Sequence, residues 1–66
     1  MNQLEKANFY NEHIDIIHPK IKSDPQTKPL WRKLYWTTAK NSKEYKSGCV
    51  DIFIEYFSKE FKELIN

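Results

Sequence analysis

The stretch SKEYKSGCVDIFIEYFSKEFKELI, residues 42–65, decides the fold class. Its middle, Cys49 to Phe57, is rich in β-branched and aromatic residues and alternates in part, which suits a strand. The polar positions decide against one. Glu44, Ser47, Asp51, Glu55, Ser58 and Lys62 recur at intervals of three and four, a continuous wet stripe on a helix. Val50, Phe53, Ile54, Phe57, Phe61, Leu64 and Ile65 fall opposite. A strand would mix Asp51 and Glu55 with Phe53 and Phe57 on one face. The spacing therefore predicts one long helix from about Ser42 to Ile65, with Asn41 as its N-cap and Glu44 in the third helical position. Gly48 is its weak point, costing about 1 kcal/mol relative to alanine, and a natural place for a kink.

Upstream, the same spacing predicts two more helices. The first runs from Gln3 to His18, capped by Asn2 with Glu5 placed for a capping box. Ala7, Tyr10, Ile14 and Ile17 form its core stripe, and Phe9, His13 and Ile16 a second apolar stripe on another face, open to a partner. Pro19 is expected to stop this helix, because the residue before a proline is pushed out of the α region. All three prolines fall in residues 19–29, so residues 19–28 read as a loop, anchored by Ile21. A second helix follows over residues 29–39, with Pro29 tolerated in its first turn. Leu30, Trp31, Leu34, Tyr35 and Thr38 cover one side of it. The expected fold is an all-α, compact three-helix domain with a long amphipathic C-terminal helix, the whole chain forming a single domain.

Size and composition bound the function. A chain of 66 residues buries only about 60% of the surface its unfolded form exposes, so its core yields few kcal/mol without a staple or a partner. One cysteine, Cys49, cannot form an intramolecular disulfide, which sets aside the frameworks of small secreted proteins. The N-terminal stretch lacks a basic start and carries Glu5, Glu12 and Asp15, unlike a secretory signal. No apolar run approaches the roughly 18 residues of a membrane span. A cytoplasmic protein without membrane contact is expected. The lysine-, asparagine- and isoleucine-rich composition suits an AT-rich bacterial or phage genome.

Catalytic and metal chemistry find little support. His13 and His18 stand five apart, about 140° around a helix, and Asp15 with His18 supplies only two ligands where a metal site needs more. Cys49 borders the apolar stripe and reads as a small buried hydrophobe. Gly48, the only glycine, cannot form a phosphate-cradling loop. The sequence predicts no enzyme, no cofactor and no metal.

Charge is the stronger signal. Residues 18–46 hold eight cations against Asp24 and Glu44, a net +6, while each end of the chain is −2. Arg32, Trp36 and Lys40 share one face if the second helix is regular, with Lys33 beside them and Lys43 and Lys46 extending the patch. A tryptophan among cations suits an acidic protein surface. It equally suits a base flanked by phosphates. The bland alternative is a core tryptophan rimmed by lysines whose stems cover apolar surface. A helix-turn-helix built on the second and third helices would put Ser42, Lys43, Tyr45 and Lys46 at the start of a recognition helix, but the turn lacks its usual glycine. Ten aromatic residues also exceed what three short helices can enclose, and exposed apolar surface marks interaction sites. The expected function is a small non-enzymatic protein-binding module, a regulator or inhibitor that occludes a partner's acidic surface and pairs as a homodimer through the long helix. The alternative is a small DNA- or RNA-binding protein using the basic 18–46 segment.

Overall fold

Asn2 closes the amino end of the first helix as the capping box requires: its side chain accepts from the Glu5 amide at 2.8 Å and the Glu5 carboxylate accepts from the Asn2 amide at 2.9 Å. From there a computed structural model describes all 66 residues, Met1–Asn66. The chain is all-helical, with no strand. It forms five helices rather than three: α1 Gln3–Glu12, α2 Ile14–Ser23, α3 Lys28–Thr37, α4 Lys43–Tyr56 and α5 Ser58–Ile65. Both long helices expected from the sequence are broken, and the loop expected over 19–28 is mostly helix.

The first break is at His13, whose backbone leaves the helical region (φ −123°, ψ 27°). The chain restarts at once, since His13 C=O accepts from the Ile16 and Ile17 amides. Helix α2 then runs through Pro19 rather than stopping before it. An interior proline costs roughly 3 kcal/mol. Against that, Ile17 and Ile21, one turn apart, are both fully enclosed, and each such side chain gains about 1.5–3 kcal/mol. Two isoleucines outweigh one proline. The Asp15 carbonyl that Pro19 leaves without its helical partner belongs to an exposed residue, where water can donate to it. The turn that follows is short because Thr27, also fully enclosed, donates its hydroxyl to the Ile21 carbonyl at 2.7 Å.

The second break, at Phe57 (φ −131°, ψ 47°), splits the long C-terminal helix. A straight helix of residues 42–65 would run about 36 Å at 1.5 Å per residue, longer than the molecule's greatest extent of 32 Å. It would carry Phe61 and Leu64 off the body. The bend folds α5 back, so that Phe57, Phe61 and Leu64 pack on the central cluster and Phe61 meets Phe9 edge-on at 5.3 Å. The result has a radius of gyration of 10.7 Å, against about 10.8 Å for a compact chain of this length.

Helix α4 is the core element. Cys49, Val50 and Phe53 have no exposed surface and join Tyr10, Ile17, Ile21 and Tyr45 in one cluster. Burial pushes the Cys49 thiol up to about 12, so it stays protonated and inert at neutral pH. Ile14, expected in the core, is 44% exposed beside the His13 break, while Ser47, expected on the wet stripe, is buried with its hydroxyl on the Glu44 carbonyl. Ser42, not Asn41, caps α4, accepting from the Tyr45 amide at 3.1 Å. Asn41 instead takes the left-handed conformation (φ 64°) that turns the chain from α3 into α4, a role asparagine tolerates better than most residues. Gly48 makes no kink. It lets Leu34 of α3 rest directly on the α4 backbone: a Cβ there would stand 2.7 Å from a Leu34 methyl.

A candidate binding surface around helix α3

Helix α3 contains no buried residue. It lies on the outside, held by three side chains. Leu34 rests on Gly48. Trp31 donates its indole N–H to the Tyr45 hydroxyl at 2.9 Å and meets His18 edge-on at 5.8 Å. Tyr35 packs against Trp31 and Tyr45. Every other residue of α3 is exposed.

The outward face gathers Arg32, Lys33 and Trp36, as the sequence suggests. Trp36 is 77% exposed, the most exposed large apolar side chain of the protein, and touches Tyr35 edge-on at 5.3 Å. The three line an open groove of about 390 Å³ with Pro25, Lys28 and Pro29. Pro29, Arg32, Lys33 and Trp36 recur at i, i+3, i+4 and i+7, so the spacing that defines this face was present in the sequence. Pro25 and Lys28 come from the turn before α3 and carry no such signal.

Lys40 does not extend this face. Thr38 is extended (φ −125°, ψ 161°), so the chain leaves the helix before Lys40 and carries it around to the other side of α3. There it lines a groove of about 320 Å³ with aromatic walls. Lys43 and Lys46, in the first turn of α4, line neither groove. Of the second expected interface, Phe9 is half-buried between His13, 4.5 Å away, and Phe61, so α5 covers it, whereas Ile16 on α2 is 40% exposed. Self-association through the apolar face of the C-terminal helix meets a similar obstacle, because Val50 and Phe53 are already enclosed within the chain.

Between the two grooves lies a third concavity that shares Lys28 and Arg32 with the first and His18, Lys22 and Trp31 with the second. The three form one continuous basic channel over α2 and α3, and no carboxylate lines any of them. The single ion pair of the molecule, Lys6 with Asp51 at 2.6 Å, is elsewhere, between α1 and α4. The cations of the channel are thus unpaired; Lys22 lies over the Trp31 ring, 5.7 Å from its centre. His18, lowered by burial and by the nearby Lys22, is neutral at pH 7, and its Nδ1 pairs with the Tyr10 hydroxyl at 3.3 Å. On the far edge of α3, Leu30, Leu34 and Ile52 form an apolar groove of about 350 Å³ rimmed by Lys33 and Glu55.

The fold and its surface define an all-α protein with a basic, aromatic face built on one half-exposed helix. Compared with known protein families, curated proteins and solved structures, the chain has no match. No helix is long and apolar enough to cross a membrane.

Proposed function

We propose that this is a small non-enzymatic binding module, a regulator or inhibitor, that covers an acidic surface of a protein partner with the outward face of α3. The observation that carries the proposal is Trp36, 77% exposed among Lys28, Arg32 and Lys33, with prolines behind it and no carboxylate beside it. Tryptophan and arginine dominate the energetics of protein interfaces, and unpaired cations steer an acidic partner into register. Lys33 also rims the apolar groove of Leu30, Leu34 and Ile52. The basic face therefore grades into an apolar one, a mixture that suits a protein surface better than a phosphate backbone. A standard interface takes about 800 Å² from each partner, roughly a fifth of the 4505 Å² of exposed surface here.

Nucleic acid is the second reading, favoured by the continuity of the carboxylate-free channel past Lys28 and Arg32 to Lys22 and Trp31. Affinity capture from the source cell, with and without nuclease, separates the two. A protein partner retained after nuclease and lost with Trp36→Ala supports occlusion; the expected loss is about thirty-fold or more, the size of an interface hot spot. Capture that vanishes with nuclease supports nucleic acid. A retained partner that binds Trp36→Ala and Arg32→Ala/Lys33→Ala as tightly as wild type would remove α3 from the function.

A further inference from the structure

We propose that the aromatic groove on the inner side of α3 binds a nucleotide, its base against the Trp31 and Tyr35 wall and its phosphate on Lys22 and Lys40. The groove shares no lining residue with the Trp36 groove, though the basic channel joins the two through Lys22, Lys28 and Arg32.

The chemistry of the lining leads to this class of ligand. The wall is aromatic, with Trp31 and Tyr35 tilted by only 32° and Tyr45 standing nearly perpendicular to Tyr35. The first two, 5.3 Å apart, overlap in part, and the Trp31 ring lies under the Lys22 ammonium, 5.7 Å from its centre. The base is to take that ammonium's place on Trp31, with Tyr45 closing the wall at an angle. Base stacking on such surfaces contributes about 1–3 kcal/mol and accepts any base. The polar groups at the back already have partners: Trp31 N–H with the Tyr45 hydroxyl and the Tyr10 hydroxyl with His18. No buried side-chain polar atom is unpartnered, so a ligand breaks none of these hydrogen bonds; it displaces only the Lys22 ammonium from the Trp31 ring, freeing that cation for the phosphate. The charged groups at the mouth are two ammoniums with no acid among the lining residues, and two cations match the dianion of a phosphate monoester. Neutral aromatic ligands would leave both unused. Asn41, fixed by its left-handed backbone, adds an amide that both donates and accepts, the pairing that the edge of a base requires. The groove, about 320 Å³, sits at the lower limit for small-molecule sites and takes one nucleotide rather than two.

That nucleotide has two sources, a free mononucleotide or one unit of a single strand continuing toward Lys28 and Arg32. A Trp36→Phe variant leaves Trp31 as the only tryptophan, so its emission reports on this groove and the concavity beside it and no longer on the Trp36 face. Titrations use AMP, adenosine and a six-residue oligoadenylate, at 50 and 200 mM salt. Saturable quenching by AMP is expected, weakened at least tenfold in Lys22→Ala/Lys40→Ala. Adenosine should bind more weakly than AMP and be indifferent to that double change. Both lysines are exposed, and a thermal melt matching the parent shows that the variant is folded. Oligoadenylate binding far tighter than AMP, with a steep log-log salt slope, identifies a strand as the source; equal binding identifies the free nucleotide. No saturable quenching by either, or quenching that the double variant leaves unchanged, overturns the proposal.

Discussion

Replacing Gly48 with alanine sets helix propensity against packing, and the structure says which wins. In a helix interior the change is worth about 1 kcal/mol in favour of alanine. The new Cβ, however, would stand 2.7 and 2.8 Å from the two Leu34 methyls and 3.3 Å from its Cγ, where carbon atoms prefer about 3.5–4.0 Å. Rotating the methyls does not move Cγ, so either Leu34 changes χ1 or α3 lifts from α4. Overpacking of this kind costs about 1–3 kcal/mol. The net expectation for Gly48→Ala is a loss of about 1 kcal/mol, which in a domain of this size lowers Tm by roughly 4–8 °C. In a Leu34→Ala background the obstruction is gone, and Gly48→Ala should then stabilise by about 1 kcal/mol. The four-way cycle gives a coupling of about 2 kcal/mol, well above the few tenths seen between independent sites. Urea unfolding followed by far-ultraviolet circular dichroism measures all four proteins. If Gly48→Ala stabilises by the same amount in both backgrounds, the close approach of α3 to α4 at this residue is wrong.

The remaining predictions concern the core, the turns and pH. Burial raises the Cys49 thiol to about 12 and raises the Tyr10 and Tyr45 hydroxyls, whereas the unfolded chain ionises near 9.0 and 10.0. Groups raised on folding stabilise below the unfolded value and lose that contribution as pH climbs. Stability should fall by about 1.4 kcal/mol per pH unit above pH 9 from Cys49 alone, and faster above pH 10; a urea midpoint constant from pH 8 to 11 would contradict this. His18, lowered by burial and Lys22, acts at the acid end, so His18→Phe should flatten the decline in stability as pH falls below 6.5. Thr27→Val keeps the shape but removes the donor to the Ile21 carbonyl and should cost about 1–3 kcal/mol in urea unfolding; equal stability would mean that the bond is incidental. Asn41→Ala should cost about 1 kcal/mol at its left-handed backbone, and Asn41→Gly should not, a ranking that thermal melts can test directly.

Most of the helical character is legible in the sequence, and the fold departs from it where tertiary packing overrides a local rule. The polar stripe from Glu44 to Lys62 does mark helix, but a stripe records which side of each turn is wet, not whether the axis stays straight. A bend at Phe57 leaves the stripe nearly intact while returning Phe61 to Phe9, and nothing in residues 42–65 alone reports that Phe9 is there to be met. Pro19 misled for the opposite reason. Its local preference is real, about 3 kcal/mol, but the competing gain comes from tertiary burial of Ile17 and Ile21, which exists only once α4 is in place. Gly48 carried a third ambiguity, since a lone glycine marks either a kink or a close approach, and only Leu34 distinguishes them. On the surface, the face of Arg32, Lys33 and Trp36 was visible because it lies within one regular helix. The aromatic groove was not, because its walls come from α1, α2, α3, α4 and the α3–α4 connection.

The position of α3 explains how so small a protein can hold a core and still present aromatic surface. Its inner side contributes Trp31, Leu34 and Tyr35, which are only half-buried, while the fully enclosed residues come from α2, α4 and the Thr27 turn. Ala7 and Tyr10 of α1 join them in the core, and α3 contributes no buried side chain to it. Residues on the outer side of α3 are then free of packing constraints, and an exposed tryptophan among unpaired cations persists there without a folding role. A packed tryptophan with a solvating lysine does describe a residue of this helix, but it is the half-buried Trp31, tied to Tyr45 and overlain by Lys22. Trp36, five residues on, has neither the burial nor the hydrogen bond that would make it structural. The packing that the sequence could have assigned to either tryptophan falls to Trp31, and the occlusion proposal rests on Trp36 alone.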